Sequence, residues 1–342
     1  MAASPTEPSS LRSPFDRTVL LTVFWEGTAN TILPPTTQIG LFAAACPAHD
    51  VSRGFAAGLL DDSKATDFKV TFDGCSVTNG LPGLLFGAGL RDQAAVVAER
   101  IHAVLKVRPS VVVNVLGLSR GGIGGIFLAQ ALATSEAQER IALNMLLFDP
   151  VPGDQTWSGF PFTGFYGRDV SDCKCLERVV ALYPHEPLPD VAFHAPVLIV
   201  YPAACRVEED VTLGCHQGAL FATRYSSHKV HVASNLSFLR IADFLTEVGT
   251  RLNLAASFAY QPSAADCLNI YRAALEQEAP TRRTLHDGRG LGRVIVRNRD
   301  GQYLNQHHEK LERALERDAP GQDAWAEALA PLPRYMLAIT SR

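Results

Sequence analysis

Ser119 stands in the pentad Gly117-Leu118-Ser119-Arg120-Gly121, between a β-branched apolar run and a stretch of helical periodicity. A Gly-x-Ser-x-Gly pentad between strand and helix is the signature of a nucleophile elbow. Serine occupies a strained turn there, and the flanking glycines omit Cβ atoms that would clash. The chemistry is nucleophilic: a serine oxygen attacks an acyl carbon. The start of the following helix contributes positive potential and sets the Arg120 backbone N–H beside the nucleophile, as one half of an oxyanion hole. A capping serine in a glycine-rich turn is the plainer reading, and the strand-turn-helix context favours the elbow.

A serine hydroxyl is a weak nucleophile without a base and an orienting carboxylate. Of the ten histidines, His216 stands out in Leu213-Gly214-Cys215-His216-Gln217-Gly218. This segment reads as a loop behind an apolar run at 196–201, at the same sheet edge as the elbow. His228 and His231 are the alternative bases, while His307-His308 reads as solvated. Asp149 ends the run 141–148 in Phe148-Asp149-Pro150, placed to accept an imidazole N–H, with Asp154 close by. The cluster Glu208-Glu209-Asp210, expected just after the next strand, competes for the acid's role. Glu26-Gly27-Thr28-Ala29-Asn30 closes the first apolar run, and Gly27 or Thr28 is the candidate second oxyanion donor. Alternatively, Thr28 and Asn30 only satisfy the turn's own backbone.

These residues need a frame. Residues 18–24, 67–72, 110–116, 141–148 and 196–201 read as short strands, with 229–232 a further short one. The strongest are apolar on both faces, as central parallel strands require. Residues 92–105, with Ala94, Ala95, Val97, Ala98, Ile101 and Leu105 on one stripe, read as an amphipathic helix. Helices are also expected from about Gly121 and over 235–252. Alternating β and α elements imply a mostly parallel sheet with helices on both faces. Beyond 253 the pattern changes to helices at 263–278, 306–316 and 322–329, with a hairpin at 293–304 turning at Asp300-Gly301. The expected organisation is a Ser/Pro-rich lead-in over 1–16, a catalytic domain over 17–252 and a mainly helical appendage over 253–342.

Composition narrows the function class. The net charge of −4 over 342 residues gives no general reason to expect a nucleic-acid partner. Seven scattered cysteines do not form a disulfide framework and suit a reducing compartment. Cys173-Lys174-Cys175 is too closely spaced for a usual zinc knuckle and no second Cys/His pair stands at finger spacing, so no metal is expected, and acyl-enzyme chemistry on Ser119 needs no cofactor. There is no Sec signal and no apolar stretch of about 18 residues, so no transmembrane segment is expected. The chain reads as cytoplasmic, or as exported without a cleaved signal. A phosphate cradle at Gly117 is disfavoured because no Gly-Lys-Ser/Thr follows.

Several motifs together resemble the α/β-hydrolase-like domain family that includes the first class of type VI secretion phospholipase effectors. They are Glu26-Gly27-Thr28-Ala29-Asn30 for that family's Asp-Gly-Thr-x-Asn turn, Leu85-Phe86-Gly87-Ala88-Gly89-Leu90 for its Phe-Gly segment, and the Ser119-Arg120-Gly121 elbow. Phe148-Asp149 and Leu213-Gly214-Cys215-His216 resemble its later strand end and its Pro-Gly-x-His loop. The similarity covers roughly residues 17–250. Glu26 departs from the usual aspartate, the glycines after the histidine are reduced to Gln217-Gly218, and the effectors' large insertions are missing.

The resemblance implies an α/β-hydrolase-like fold and hydrolysis of a carboxylic ester, a lipid ester for preference. In this reading His216 takes the Ser119 proton, Asp149 orients the imidazolium, and N–H groups of Arg120 and Gly27 or Thr28 hold the oxyanion. The aromatic stretch 157–166 reads either as a lid over an acyl chain or as a core-packed loop. Arg282, Arg283, Arg289, Arg293, Arg297 and Arg299 form a basic stretch open to transient membrane-surface contact, with a solvated face the plainer reading. The competing expectation is a hydrolase-like scaffold without activity that binds a partner in the cleft.

Overall fold

A computed structural model describes residues 18–35, 37–61, 65–152, 168–186, 197, 199–215, 228–253, 283–286 and 293–296. Seven strands form one parallel sheet: β1 (Val19–Trp25), β2 (His49–Asp50), β3 (Asp67–Phe72), β4 (Val111–Leu118), β5 (Ile141–Phe148), β6 (Leu176–Glu186) and β7 (Arg206–Cys215). Their order is β2-β3-β1-β4-β5-β6-β7. The chain moves outward from β1 to β2 and β3, then crosses back to β4 and continues the other way. The order therefore reverses between β1 and β4, and in an open α/β sheet the ligand crevice lies at the carboxyl ends of such a pair. This is the expected α/β-hydrolase-like architecture.

Both faces of the sheet are covered. Val19, Leu21, Val23 and Trp25 of β1 join Val113 and Val115 of β4 in a core with α3 (Leu90–Val107) and α4 (Arg120–Ala133). The buried stripe of α3 is Leu90, Ala94, Val97, Ile101, Val104 and Leu105, so Val104 replaces the expected Ala95, which is exposed. Phe24 and Leu116, of opposite pleat, are also fully buried. On that face lie α1 (Gln38–Ala45) and α5 (His228–Glu247), whose Phe42 and Phe238 rings stack at 4.8 Å. Here a polar thread crosses the strands. Asn144 Nδ2 donates to Asn114 Oδ1 at 3.1 Å, Asn114 Nδ2 donates to Val248 O and Thr250 Oγ1 at 2.9 Å each, and Thr22 Oγ1 meets Thr250 Oγ1 at 3.0 Å. Each buried amide and hydroxyl gains a partner, which ties the end of α5 to the middle of the sheet.

Four expectations are corrected. Of residues 196–201, the described Val197, Ile199, Val200 and Tyr201 lie outside the seven sheet strands, and Val200 makes an isolated bridge to Asp169. Strands β6 and β7 were not anticipated, and β7 has charged Arg-Val-Glu-Glu-Asp where a buried strand would be apolar. Residues 229–232 belong to the first turn of α5, not to a strand. The helical period beyond them is visible in the buried Ser237, Arg240, Ile241, Phe244 and Leu245. Finally, β9 (Arg293–Val296) pairs antiparallel with β8 (Arg283–His286), with His286 opposite Arg293. The arm 293–296 of the expected hairpin therefore pairs with a strand that precedes it, and residues 297–304, with the expected turn at Asp300-Gly301, lie outside the described residues. The helices expected at 263–278, 306–316 and 322–329 lie outside the described residues, as do 1–16.

Candidate active site

The elbow is built as its residue types demand. Strand β4 is buried along its whole length and ends at Leu118, and α4 begins at Arg120. Ser119 between them has φ 56° and ψ −118°. For a residue with a side chain this conformation costs about 1–3 kcal/mol and persists only when the surroundings enforce it. Three backbone bonds do so: Ser119 N–H donates to Phe148 O at 2.9 Å, and Ser119 O accepts from Gly122 N at 3.0 Å and Val151 N at 3.3 Å. The turn also lies hard against the end of β1. A Cβ on Gly121 would stand 2.4 Å from Trp25 O and 2.7 Å from Glu26 O, so only glycine fits. Ser119 is 3% exposed, a recessed position at the carboxyl edge of the switch-point strand.

Asp149 directly follows β5, next to the elbow. Leu118 and Phe148 are register partners, so the residues after them, Ser119 and Asp149, begin at the same edge. Asp149 has φ 44°, is buried, and its N–H donates to Leu182 O at 2.8 Å. A left-handed conformation at an aspartate closing a buried strand is a constraint of the kind found at functional sites.

The acidic cluster sits elsewhere. It lies within β7 and not behind a strand, which corrects the sequence reading. Glu208 is the centre of an ion-pair network, with Arg178 at 3.1 Å, Arg206 at 2.8 Å and Arg240 at 2.8 Å. Burial pushes its carboxyl up, but Arg240 and Arg178 together hold it below the usual range. Burial lifts Glu209, which accepts from Tyr201 Oη at 3.4 Å. Asp210 is in register with Leu182.

His216 immediately follows β7 and lies outside the described residues, as do Asp154 and the aromatic stretch 157–166. β7 is three strands from β4, about 14 Å at the usual interstrand spacing. His228 and His231 fall at the start of α5. The described side chains of His49 and His102 are exposed, on β2 and α3, and His102 Nε2 lies 3.2 Å from Ser135 Oγ.

The opening turn is packed beside the elbow: a Cβ on Gly27 would lie 2.8 Å from Leu118 Cγ. Asn30 N–H donates to Gly27 O at 3.1 Å, Asn30 Nδ2 to Thr28 O at 3.3 Å, and Ala29 N–H to Ser76 Oγ at 2.8 Å. The turn thus does satisfy much of its own backbone. Ser76 belongs to α2 (Cys75–Phe86), whose end and the start of α3 carry the Phe-Gly segment.

Sequence reasoning passed over one residue here. Glu26, noted only as a departure from aspartate, is a buried carboxylate. Its Oε1 accepts from Thr37 Oγ1 at 2.7 Å and Gly40 N at 3.1 Å, and its Oε2 accepts from Gly27 N at 3.3 Å. Burial dominates and raises its pKa to about 7, although the three hydrogen bonds oppose that shift. An acidic residue directly after a buried, mainly apolar strand was the available signal. The side chain of Arg120 is buried, and burial lowers its pKa against the opposing effect of Cys75.

Among the described residues no group of three or more His, Cys, Asp or Glu could hold a metal, and no helix is long and apolar enough to cross a membrane. Cys173 and Cys175 are buried with sulfurs 3.4 Å apart.

No family model matches the sequence, and no curated protein matches it. Among solved structures, an uncharacterized protein from Pseudomonas aeruginosa is similar over 93% of this chain at 11% identity with a TM-score of 0.49. The Tle1 effector, solved bound to the VgrG spike of a type 6 secretion system, is similar over 61% of this chain at 13% identity, TM-score 0.38. The peroxisomal α/β-hydrolase Lpx1 of Saccharomyces cerevisiae is similar over 76% at 13% identity, TM-score 0.35. The chain spans 62% and 52% of the first two proteins' lengths and 85% of the third's. These are likenesses of fold, and no substrate passes from them to this chain.

Proposed function

We propose that the protein is a serine hydrolase that cleaves a carboxylic ester through an acyl-enzyme on Ser119. The observation that carries this reading is the backbone of Ser119, a non-glycine residue at φ 56° between β4 and α4, at the carboxyl edge where the strand order reverses. A fold that bears such strain at one serine presents its hydroxyl where a helix N-terminus can stabilise developing negative charge.

In the reaction, His216 removes the Ser119 proton as Oγ bonds to the acyl carbon. The carbonyl oxygen becomes an oxyanion held by the Arg120 N–H and a donor from the Gly27–Thr28 turn. The tetrahedral intermediate collapses, the ester bond breaks, and the imidazolium protonates the leaving alcohol. Water, deprotonated by the same histidine, then releases the acid and restores Ser119. Asp149 orients the imidazole. Its place beside Ser119 supports that role, as does the commitment of Glu208 to three arginines. His228 and His231, at the start of α5, are the alternative bases. A lipid ester is the favoured substrate class on the strength of the motif resemblance.

A fluorophosphonate probe tests the reading on the full chain. Labelling of the wild type that disappears in Ser119→Ala, with unfolding temperature retained, is the expected result. Asp149→Asn should slow labelling by roughly 10⁴-fold, as loss of an orienting carboxylate does in other triads. A folded wild type that takes no label would instead mark an inactive binding scaffold.

A further inference from the structure

Glu26 lies where three parts of the site meet. Its backbone carbonyl abuts Gly121 of the elbow, its Oε1 takes two donors from the start of α1, and its Oε2 takes the Gly27 N–H. Thr37 is itself the N-cap of α1, accepting from Ile39 N at 3.1 Å while donating to Glu26, so the carboxylate locks that helix to the opening turn. The bond from Gly27 also separates the two candidate oxyanion donors. The Gly27 N–H is held by Glu26, whereas the Thr28 N–H makes no hydrogen bond among the described residues.

We propose that Glu26 is a positioning residue: its ionised carboxylate pins the Gly27 amide and thereby orients the Thr28 N–H as the second oxyanion donor. The role rests on the serine-hydrolase reading of Ser119. The longer side chain of glutamate serves it, because one carboxylate must span from α1 to the amide next to its own residue. Of the titratable groups on the surrounding elements, Asp73 behind β3 adds like charge to Glu26, Cys75 opens α2 and Arg120 opens α4; the first turn of α1 holds no acidic residue. Burial brings the ionisation of Glu26 to about 7, so the pinning acceptor gains its charge across neutral pH.

The test follows the rate of fluorophosphonate labelling of the full chain between pH 5 and 9, in wild type, Glu26→Gln and Thr37→Val. Glutamine offers one acceptor and turns its NH₂ against either Gly27 or Gly40. The wild-type rate should rise through two ionisations, one of which is absent from Glu26→Gln, and at pH 8 that variant should label at least about tenfold more slowly. Thr37→Val removes one donor from the carboxylate and should move the same ionisation to higher pH, and it carries the test if Glu26→Gln does not fold. Profiles of both variants that superimpose on the wild type after scaling overturn the proposal and leave the hydrolase reading standing. A wild type unlabelled at every pH overturns that reading, and this proposal with it.

Discussion

Replacing Gly121 by alanine puts one methyl group against two backbone carbonyls, and its consequence can be worked through. The added Cβ would lie 2.4 Å from Trp25 O and 2.7 Å from Glu26 O, and relaxed contact requires about 1 Å more. Neither oxygen can rotate away, since both belong to the end of the central strand β1 and the turn it enters. The strain therefore falls on the α4–β1 packing. Overpacking of this kind costs about 1–3 kcal/mol, more than the ~1 kcal/mol that alanine gains over glycine in a helix. For a chain of this size, each kcal/mol corresponds to about 2–4 °C in Tm. Because Gly121 is two residues from Ser119 in one rigid turn, the nucleophile moves with it, and a shift near 1 Å costs about 100-fold in reactivity. Gly122→Ala is the control: its Cβ would meet the Pro150 side chain at 3.1 Å, which a few tenths of an ångström relieve. The assay pairs thermal unfolding with the fluorophosphonate labelling rate. Gly121→Ala with wild-type Tm and wild-type labelling, or Gly122→Ala equally impaired, would refute the packing argument.

Two further outcomes concern buried charge. The folded pKa of Glu26 is raised from 4.5 to about 7, so below 4.5 the carboxyl is protonated in both states, and between these values the folded protein keeps a proton that the unfolded chain has released. Its contribution to stability therefore falls as pH rises through that window, by about 3 kcal/mol in all, and levels off above 7. Glu26→Gln should lack this component in urea unfolding measured across pH 4.5–7.5, and parallel curves would contradict the assignment. Glu208→Ala takes from Arg178 and Arg240 the carboxylate they share, leaving Arg178 its pair with Glu247 at 2.6 Å; the two arginine side chains are 11% and 3% exposed, with Glu208 itself at 22%. Allowing for that partial exposure, it should destabilise by about 2–3 kcal/mol with an unchanged denaturant slope. A loss below about 0.5 kcal/mol would mean that the network contributes little.

The central elements were legible because their residues answer to local physics. Runs such as Val111 to Leu116 admit one structure, a strand buried on both faces, and the glycines around Ser119 have no purpose outside a tight turn. The edge strands were not legible. β7 opens on Arg206-Val207-Glu208-Glu209-Asp210, a charged run that reads as a solvated loop, and within the sheet Glu208 is neutralised by Arg178 and Arg240, from β6 and α5. Likewise 229–232 has a strand's alternation, and only the packing of the residues beyond it makes it helix.

By itself the sequence determined the parallel α/β character, the serine at the elbow and the aspartate that closes the neighbouring strand, since periodicity and glycine spacing are local properties of the chain. Tertiary structure decided which elements became neighbours: that β1 and β4 meet at the reversal of strand order, that Glu208 is spent on arginines, and that Glu26 reaches across to α1. Those facts depend on contacts between residues far apart along the chain, and burial acts on a carboxylate only once such contacts have closed around it.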